Sequence, residues 1–214
     1  MKSGNNISKS VISRLPRYYR FLGILLNEGI DKISSNALSE RMGLTASQIR
    51  QDLNQFGGFG QQGYGYNVKT LRENIGDIIG VNCKYDIILV GAGNLGRAIA
   101  QHINFSKLGF NLTAIFDSDE KLTGIDINSL KIKHFSEIEH FCKENTPKTA
   151  ILCIPTAAVK PVADKLIECG INSFWNFSHY NINDDHPDAL VENVHLKDSL
   201  LTLCYNITNS EGSE

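Results

Sequence analysis

At 214 residues, 42% hydrophobic and 21% charged, the chain is long enough for one large core or two modest ones and too apolar to stay unfolded. A net charge of -2 excludes a uniformly polybasic nucleic-acid binder, yet the charge is uneven: residues 1–80 hold ten Lys and Arg against six Asp and Glu, the remainder eleven against seventeen. Lys2, Lys9, Arg14, Arg17 and Arg20 fall in an opening stretch that contains no acid.

From Val11 to Glu28, Leu15, Tyr18, Tyr19, Leu22, Leu25 and Leu26 recur at spacings of three and four, which predicts an amphipathic helix with Pro16 in its first turns and an end near Gly29. A second helix is expected over Ala37 to Met42, capped by Ser34 or Ser35 and stopped by Gly43. Thr45-Ala-Ser-Gln48 fits a capping box, in which the Thr hydroxyl accepts from the Gln48 N–H and the Gln48 side chain reaches back. It opens a third helix ending near Phe56, with Ile49 and Leu53 one turn apart on the inner face. Helix, short Gly turn, helix is a helix-turn-helix pattern.

Thr45, Ser47, Gln48, Arg50 and Gln51 then lie on or beside the exposed side, where Gln can pair with adenine and Arg with guanine in a major groove. The run from Gly57 to Tyr66 is too rich in glycine for a helix and reads as a hairpin, a wing whose Gly60, Gln61, Gln62 and Gly63 can approach DNA. No Lys-Ser/Thr follows those glycines, so they do not form a phosphate loop of the NTPase kind. Asn67 to Gly80, with Val68, Leu71, Ile75, Ile78 and Ile79, is a further amphipathic helix, and a domain boundary is expected near residue 80.

Tyr85 to Val90 has the length and composition of a buried parallel strand and runs into Gly91-Ala92-Gly93-Asn94-Leu95-Gly96, after which Arg97 continues as helix. A second strand, Leu112 to Phe116, ends on Asp117. Strand, glycine fingerprint, helix, strand and terminal Asp are the parts of a dinucleotide site. Gly91 allows the tight turn, Gly93 the approach of a pyrophosphate, and Gly96 close packing of helix on strand, while free N–H groups at the helix start attract the anion. Asp117 accepts from ribose hydroxyls and repels a 2′-phosphate, which favours NAD(H) over NADP(H).

The alternation continues: Ser136 as cap of a helix through Phe141, a strand over Thr149 to Ile154, Thr156 as cap of a helix through Cys169, and a strand over Ile171 to Trp175. The expected fold class is therefore α/β, with an N-terminal winged helix-turn-helix domain (1–80) followed by a doubly wound, Rossmann-like parallel-sheet domain (81–195). Pro155 and Thr156 leave the carboxyl end of a strand, the edge where such sheets hold ligands, and so can line the nicotinamide side. A C-terminal segment (196–214) then remains: an apolar helix over Lys197 to Ile207 and the polar tail Ser210 to Glu214. It leaves no second domain for a substrate, which argues against an enzyme, and its apolar face suggests a dimer contact.

Cys83, Cys142, Cys153, Cys169 and Cys204 have no C-x-x-C spacing and an odd count, which suggests neither a metal site nor a disulfide framework. Cys153, inside Ala150 to Pro155, reads as a small buried hydrophobe. With no signal peptide and no apolar run of about 18 residues, no membrane segment is expected and a cytoplasmic location is.

The chain resembles the Rex family of redox-sensing transcriptional repressors over essentially its whole length. The matching stretches include Arg14 to Arg20, Ser34-Ser35, Thr45 to Leu53, Phe56 to Gly60, Gly63 to Tyr66, Gly91 to Arg97, Phe116 to Asp119, Val162 to Asp164, Gly170-Ile171, Asn176-Phe177 and Val191 to Val194. The resemblance implies a homodimer on double-stranded palindromic operator DNA, a C-terminal helix exchanged between subunits, NAD+ permitting DNA binding, and NADH favouring a closed dimer that lets go. It also implies a switch set at the subunit interface: Arg20, His102, His195 and Leu196 here. His195 stands where members typically carry Asp and His102 where Tyr is usual, which leaves three readings open: a pH-dependent response, a weakened redox switch, or two tolerated substitutions. Gln61-Gln62 and Gln51 replace frequent basic residues, which lowers salt-dependent affinity first. Two alternatives stand beside this reading: a nucleotide-binding regulatory protein with weakened DNA binding, and a small NAD-dependent oxidoreductase using His102, His179 or His195 as acid or base.

Overall fold

A computed structural model of the chain describes residues 7–56, 60–61 and 65–211. Lys2, Gly57, Gly58, Phe59, Gln62, Gly63, Tyr64 and the last three residues of the tail lie outside it, as do the side chains of Gln61 and Glu211. The chain divides into two compact units, residues 1–82 and 83–214.

In the first unit, helix α1 (Lys9–Asn27) buries Val11, Leu15, Tyr18, Leu22 and Leu25 along the stripe its period dictates. It begins before Val11, so Pro16 sits in the helix interior rather than its first turns. The helix survives because Pro16 and Ile12, whose carbonyl the missing N–H would have engaged, are both exposed to water. Helix α2 (Ser35–Met42) is capped by the Ser34 hydroxyl and ends on Gly43 in the left-handed region. Helix α3 (Ala46–Asn54) buries Ile49, Asp52 and Leu53 and stops about two residues short of the expected end. Strands β2 (Gly60–Gln61) and β3 (Gly65–Asn67) pair antiparallel, the expected wing hairpin. A strand the sequence did not announce, β1 (Lys32–Ile33), pairs with β3 and completes a three-stranded sheet. Asn67 caps helix α4 (Val68–Ile79), which Gly80 ends.

The second unit is built on strands β4 (Tyr85–Val90), β5 (Phe110–Asp117), β6 (Asp126–Ile127), β7 (Leu130–His134), β8 (Thr149–Leu152), β9 (Ser173–Asn176) and β10 (Leu190–Asn193), in the order β10-β9-β8-β4-β5-β7-β6. All neighbours are parallel except β6, a hairpin partner of β7. Alternate residues of the central strands face two apolar layers: Ile87, Leu89, Ile115 and Ile151 lie with helix α5 (Asn94–His102), and Ile88, Val90, Phe116 and Leu152 with helices α6 (Ile138–Asn145) and α7 (Thr156–Glu168). This is the doubly wound α/β fold, and the order reverses between β4 and β8, the crevice where such sheets bind ligands.

Three local expectations are corrected. Ser136 does not cap α6: His134 begins a short 3-10 turn (Phe135–Glu137), its ring accepting from Ser136 N–H while the Glu137 carboxylate accepts from the His134 N–H. Thr156 is the first residue of α7 rather than its cap; Pro155 occupies the cap position, and Thr156 makes no capping bond. The terminal helix α8 (Leu196–Glu211) is longer than its apolar run, and Leu196, Leu200, Leu201, Leu203, Tyr205 and Ile207 are exposed on it.

Candidate nucleotide site and nucleic-acid interface

The fingerprint loop sits where β4 meets β5 and β8. Gly91 N–H donates to the Phe116 carbonyl at 2.8 Å, and Gly91 holds φ +100° with its Cα against Cys153, where a side chain would fall 2.4 Å from the Cys153 carbonyl oxygen. Gly96 is needed for contact: a Cβ there would lie 1.8 Å from the Gly91 carbonyl oxygen, so α5 can approach β4 only through glycine. Gly93 differs from both, because a Cβ built on it meets nothing within 4 Å. The fold itself therefore has no use for the missing side chain at Gly93, whereas a ligand laid across the loop does.

Asp117 ends β5 facing the loop. Its Oδ2 accepts from the Ala92 N–H at 2.6 Å and its Oδ1 from the Asp119 N–H at 2.9 Å, which fixes the carboxylate. Each oxygen keeps a second lone pair for a hydroxyl. Arg97 Nε donates to the Ala92 carbonyl at 2.7 Å and pins the loop from the helix side, a role the sequence reading missed. A cavity of about 220 Å³ opens beside these groups, lined by Gly91, Gly93, Asp117 and Pro155 among the expected residues. Asn94, Leu95 and Gly96 belong to the first turn of α5 and Thr156 to that of α7, and none of them lines it. Its remaining wall, Val90, Ser118, Phe135, Cys153, Ile154, Ala158 and Val162, comes from segments whose convergence only the folded sheet reveals. Burial pushes the Cys153 thiol up to about 12, so it contributes a neutral, apolar surface rather than a nucleophile.

In the first unit the Thr45 hydroxyl accepts from the Gln48 N–H at 3.1 Å, half of the expected capping box. The reciprocal half is absent, because the Gln48 amide is drawn elsewhere: Nε2 donates to Asp52 Oδ1 at 2.7 Å. Thr45, Ser47, Arg50 and Gln51 are exposed on α3 and its cap, with Arg50 bonded to the Ser35 hydroxyl at 2.9 Å, while Gln48 is half-buried. Asp52, unremarked in the sequence, is fully buried and collects Arg14, Tyr18 and Gln48. Burial acts to raise its pKa, but the hydrogen bonds from Arg14, Gln48 and Tyr18 outweigh it and hold the carboxyl below its ordinary value.

The switch residues fall in both units. Arg20 is exposed on α1 with its guanidinium over the Phe21 ring, and His102 is the exposed last residue of α5. His195 stacks on His179, ring centroids 5.4 Å apart and 7° from parallel, and its buried Nδ1 finds no partner among the described residues. Leu196, 62% exposed, opens α8. Among the described residues no cluster of His, Cys, Asp and Glu can hold a metal, and no helix is long and apolar enough to cross a membrane.

A winged helix-turn-helix joined to a dinucleotide-type Rossmann unit defines a ligand-responsive transcription regulator. Residues 6–54 match the family model described as putative DNA-binding protein N-terminus, and residues 82–180 that of the CoA binding domain. The chain is 50% identical over 205 residues to the redox-sensing transcriptional repressor Rex of Caldanaerobacter subterraneus subsp. tengcongensis, covering 96% of this chain and 91% of that one. It is 46% identical over 211 residues to that of Clostridium perfringens strain SM101, covering 99% of both. The solved structure of RSP with beta-NAD+ and operator DNA superposes with a TM-score of 0.87 at 47% identity, covering 97% of this chain and 95% of that one; RSP with beta-NADH gives 0.87 at 44%, covering 97% of each. The chain belongs to the Rex family of redox-sensing transcriptional repressors. Members are DNA-binding regulators, so the oxidoreductase alternative falls.

Proposed function

We propose that this chain is a homodimeric repressor that holds palindromic operator DNA with NAD+ bound and releases it when NADH takes the site. The observation that supports this reading is the pairing of an open Gly93, whose missing side chain the fold does not require, with an anchored Asp117 across one cavity. Gly91, Ala92, Gly93, Asn94, Leu95 and Gly96 would hold the diphosphate, Asp117 the ribose hydroxyls, and Pro155 and Thr156 the nicotinamide side. The cofactor supplies a ring that is cationic when oxidised and neutral when reduced. DNA affinity changes by as much as the two forms discriminate between dimer arrangements.

Thr45, Ser47, Gln48, Arg50 and Gln51 would meet the DNA from α3, with Gly60, Gln61, Gln62 and Gly63 from the wing. Helix α8 would cross to a second copy: its leucines are exposed among the described residues, and the same unit offers an open apolar cavity of about 530 Å³ lined by Ile87, Phe105, Phe110, Trp175 and Val191. This reading divides the chain into a DNA-binding domain (1–80), a nucleotide domain (81–195) and a dimerisation segment (196–214). Arg20, His102, His195 and Leu196 would carry the switch between them. A cytoplasmic location suits a protein that answers to both NAD(H) and DNA. The test is a titration of operator-like palindromic DNA with NAD+ and NADH in parallel: NADH should weaken the complex at fixed salt, and equal affinity with both forms would sink the redox reading.

A further inference from the structure

Two thiols line one cavity, away from the nucleotide cavity. Cys142 on α6 is only 5% exposed, and Cys169, half-exposed, is the residue that caps α7. Both pack in the apolar layer beneath β4 and β8, and both line an open cavity of about 330 Å³ whose other walls are Glu139, Lys143, Lys165 and Glu168. Burial first, then the charge and hydrogen bonding of Cys169, push the Cys142 thiol up to about 12, so Cys142 keeps its proton. The remaining cysteines have different surroundings: Cys153 lines the nucleotide cavity, while Cys83 and Cys204 are exposed. Cys169 lies at the far end of α7 from Pro155, and thirteen helical residues separate the two by about 20 Å.

We propose that Cys142 and Cys169 form a reversible intrachain disulfide when the protein meets a hydroperoxide, a thiol-based redox input distinct from the nucleotide site. Cys169, the more accessible of the two, attacks the terminal peroxide oxygen; the O–O bond breaks, the alcohol leaves with the proton, and Cys169 becomes a sulfenic acid. Cys142 then attacks that sulfur. The S–O bond breaks, the Cys142 proton goes to the departing oxygen, and water leaves as the S–S bond forms. Two thiols lose two electrons in total, and the peroxide takes both. The cross-link closes a loop from α6 through β8 to the end of α7, and so restricts the unfolded chain more than the folded one. A dithiol returns two electrons and two protons and restores both side chains.

The full chain, treated with tert-butyl hydroperoxide, alkylated under denaturing conditions and mapped by mass spectrometry, tests this. A 142–169 linked peptide is expected within single chains, with two fewer alkylated thiols, a raised melting temperature, and reversal by dithiothreitol. In a Cys142→Ala variant shown to be folded by circular dichroism, Cys169 should instead accumulate as a sulfenic acid that dimedone traps; Cys169→Ser should show neither product. NADH affinity by calorimetry should stay within about twofold on oxidation, since the cross-link lies at the opposite end of α7. Oxidation confined to Cys83 or Cys204, links formed only between chains, or a Cys169 that alkylates fully after peroxide would overturn the proposal. Because the peroxide treatment and peptide mapping need neither nucleotide nor DNA, their failure would leave the repressor reading untouched.

Discussion

Arg14 donates through Nε and Nη2 to the two oxygens of Asp52, at 2.7 and 2.8 Å, so one fully buried carboxylate ties α1 to α3. The pair is bidentate, and the Tyr18 hydroxyl at 2.9 Å takes up further acceptor capacity. Breaking such a pair from one side strands a buried charge. Arg14→Met should therefore cost about 3–5 kcal/mol in the first unit, read as a lower denaturant midpoint. The sign with pH is distinctive. With Arg14 present, the depressed Asp52 pKa stabilises the fold above the ordinary carboxylate range, and that contribution is lost as acid carries the pH down through the folded value. Without Arg14, burial dominates and the folded pKa rises, so stability is present at low pH and lost as pH climbs. Lowering the pH from 7 to 5 should narrow the gap between variant and parent; a gap that stays constant would refute the assignment.

The same carboxylate orients Gln48. A carboxylate only accepts, so Nε2 must point at Asp52, and no hydrogen bond to Gln48 Oε1 is found among the described residues. A fixed amide with a free carbonyl and a second N–H suits an adenine edge. Gln48→Ala should reduce discrimination between operator and single-base variants at one position per half-site by about 1–3 kcal/mol, while leaving the salt slope of binding unchanged. A uniform loss across all DNA sequences would make Gln48 a positioning side chain only.

The site was legible where chemistry is local and hidden where it is assembled. Gly91 to Gly96 and Asp117 could be read because strand length, glycine spacing and a terminal acid lie in one short run. Thr45 and Ser34 could be read as caps because their hydroxyls reach three residues ahead. Asp52 could not: in sequence it is one acid on a polar helix, and only the approach of α1 makes it the centre of the unit. The β6–β7 hairpin escaped for a different reason, since Asn128 and Ser129 turn with positive φ where glycine would have signalled it. Phe135, Ile154 and Val162 join the cavity from three segments with no common pattern.

Gly93 and Gly96 should part company on substitution. Gly96→Ala drives a methyl into the Gly91 carbonyl, with rigid backbone on both sides, and should destabilise the second unit by at least the roughly 1–3 kcal/mol typical of overpacking. Gly93→Ala meets nothing in the free protein, so its melting temperature should match the parent's while calorimetry shows weaker NAD(H) binding. Equal cofactor affinity in a stable Gly93→Ala protein would remove the diphosphate from this loop.

Asp117 needs a gentler probe than alanine, because truncation also strands the Ala92 N–H. Asp117→Asn removes the negative charge and keeps one acceptor for that N–H, at the cost of the second, which had served the Asp119 N–H. NADP(H) affinity should rise relative to NAD(H), by calorimetry with the two cofactors side by side. An unchanged ratio would mean that the charge does not face the 2′ position.

His195 and His179 lie nearly parallel with ring centroids 5.4 Å apart, and His195 Nδ1 is buried without a partner among the described residues. The contact holds the chain that leads from β10 into α8. His195→Ala removes the stack and should lower the melting temperature and change the difference between NAD+ and NADH in operator affinity. His102→Ala, altering an exposed residue on another helix, should leave the melting temperature in place. If His195→Ala matches the parent in both melting temperature and the NAD+/NADH difference, the stacked pair anchors nothing and the switch draws nothing from it.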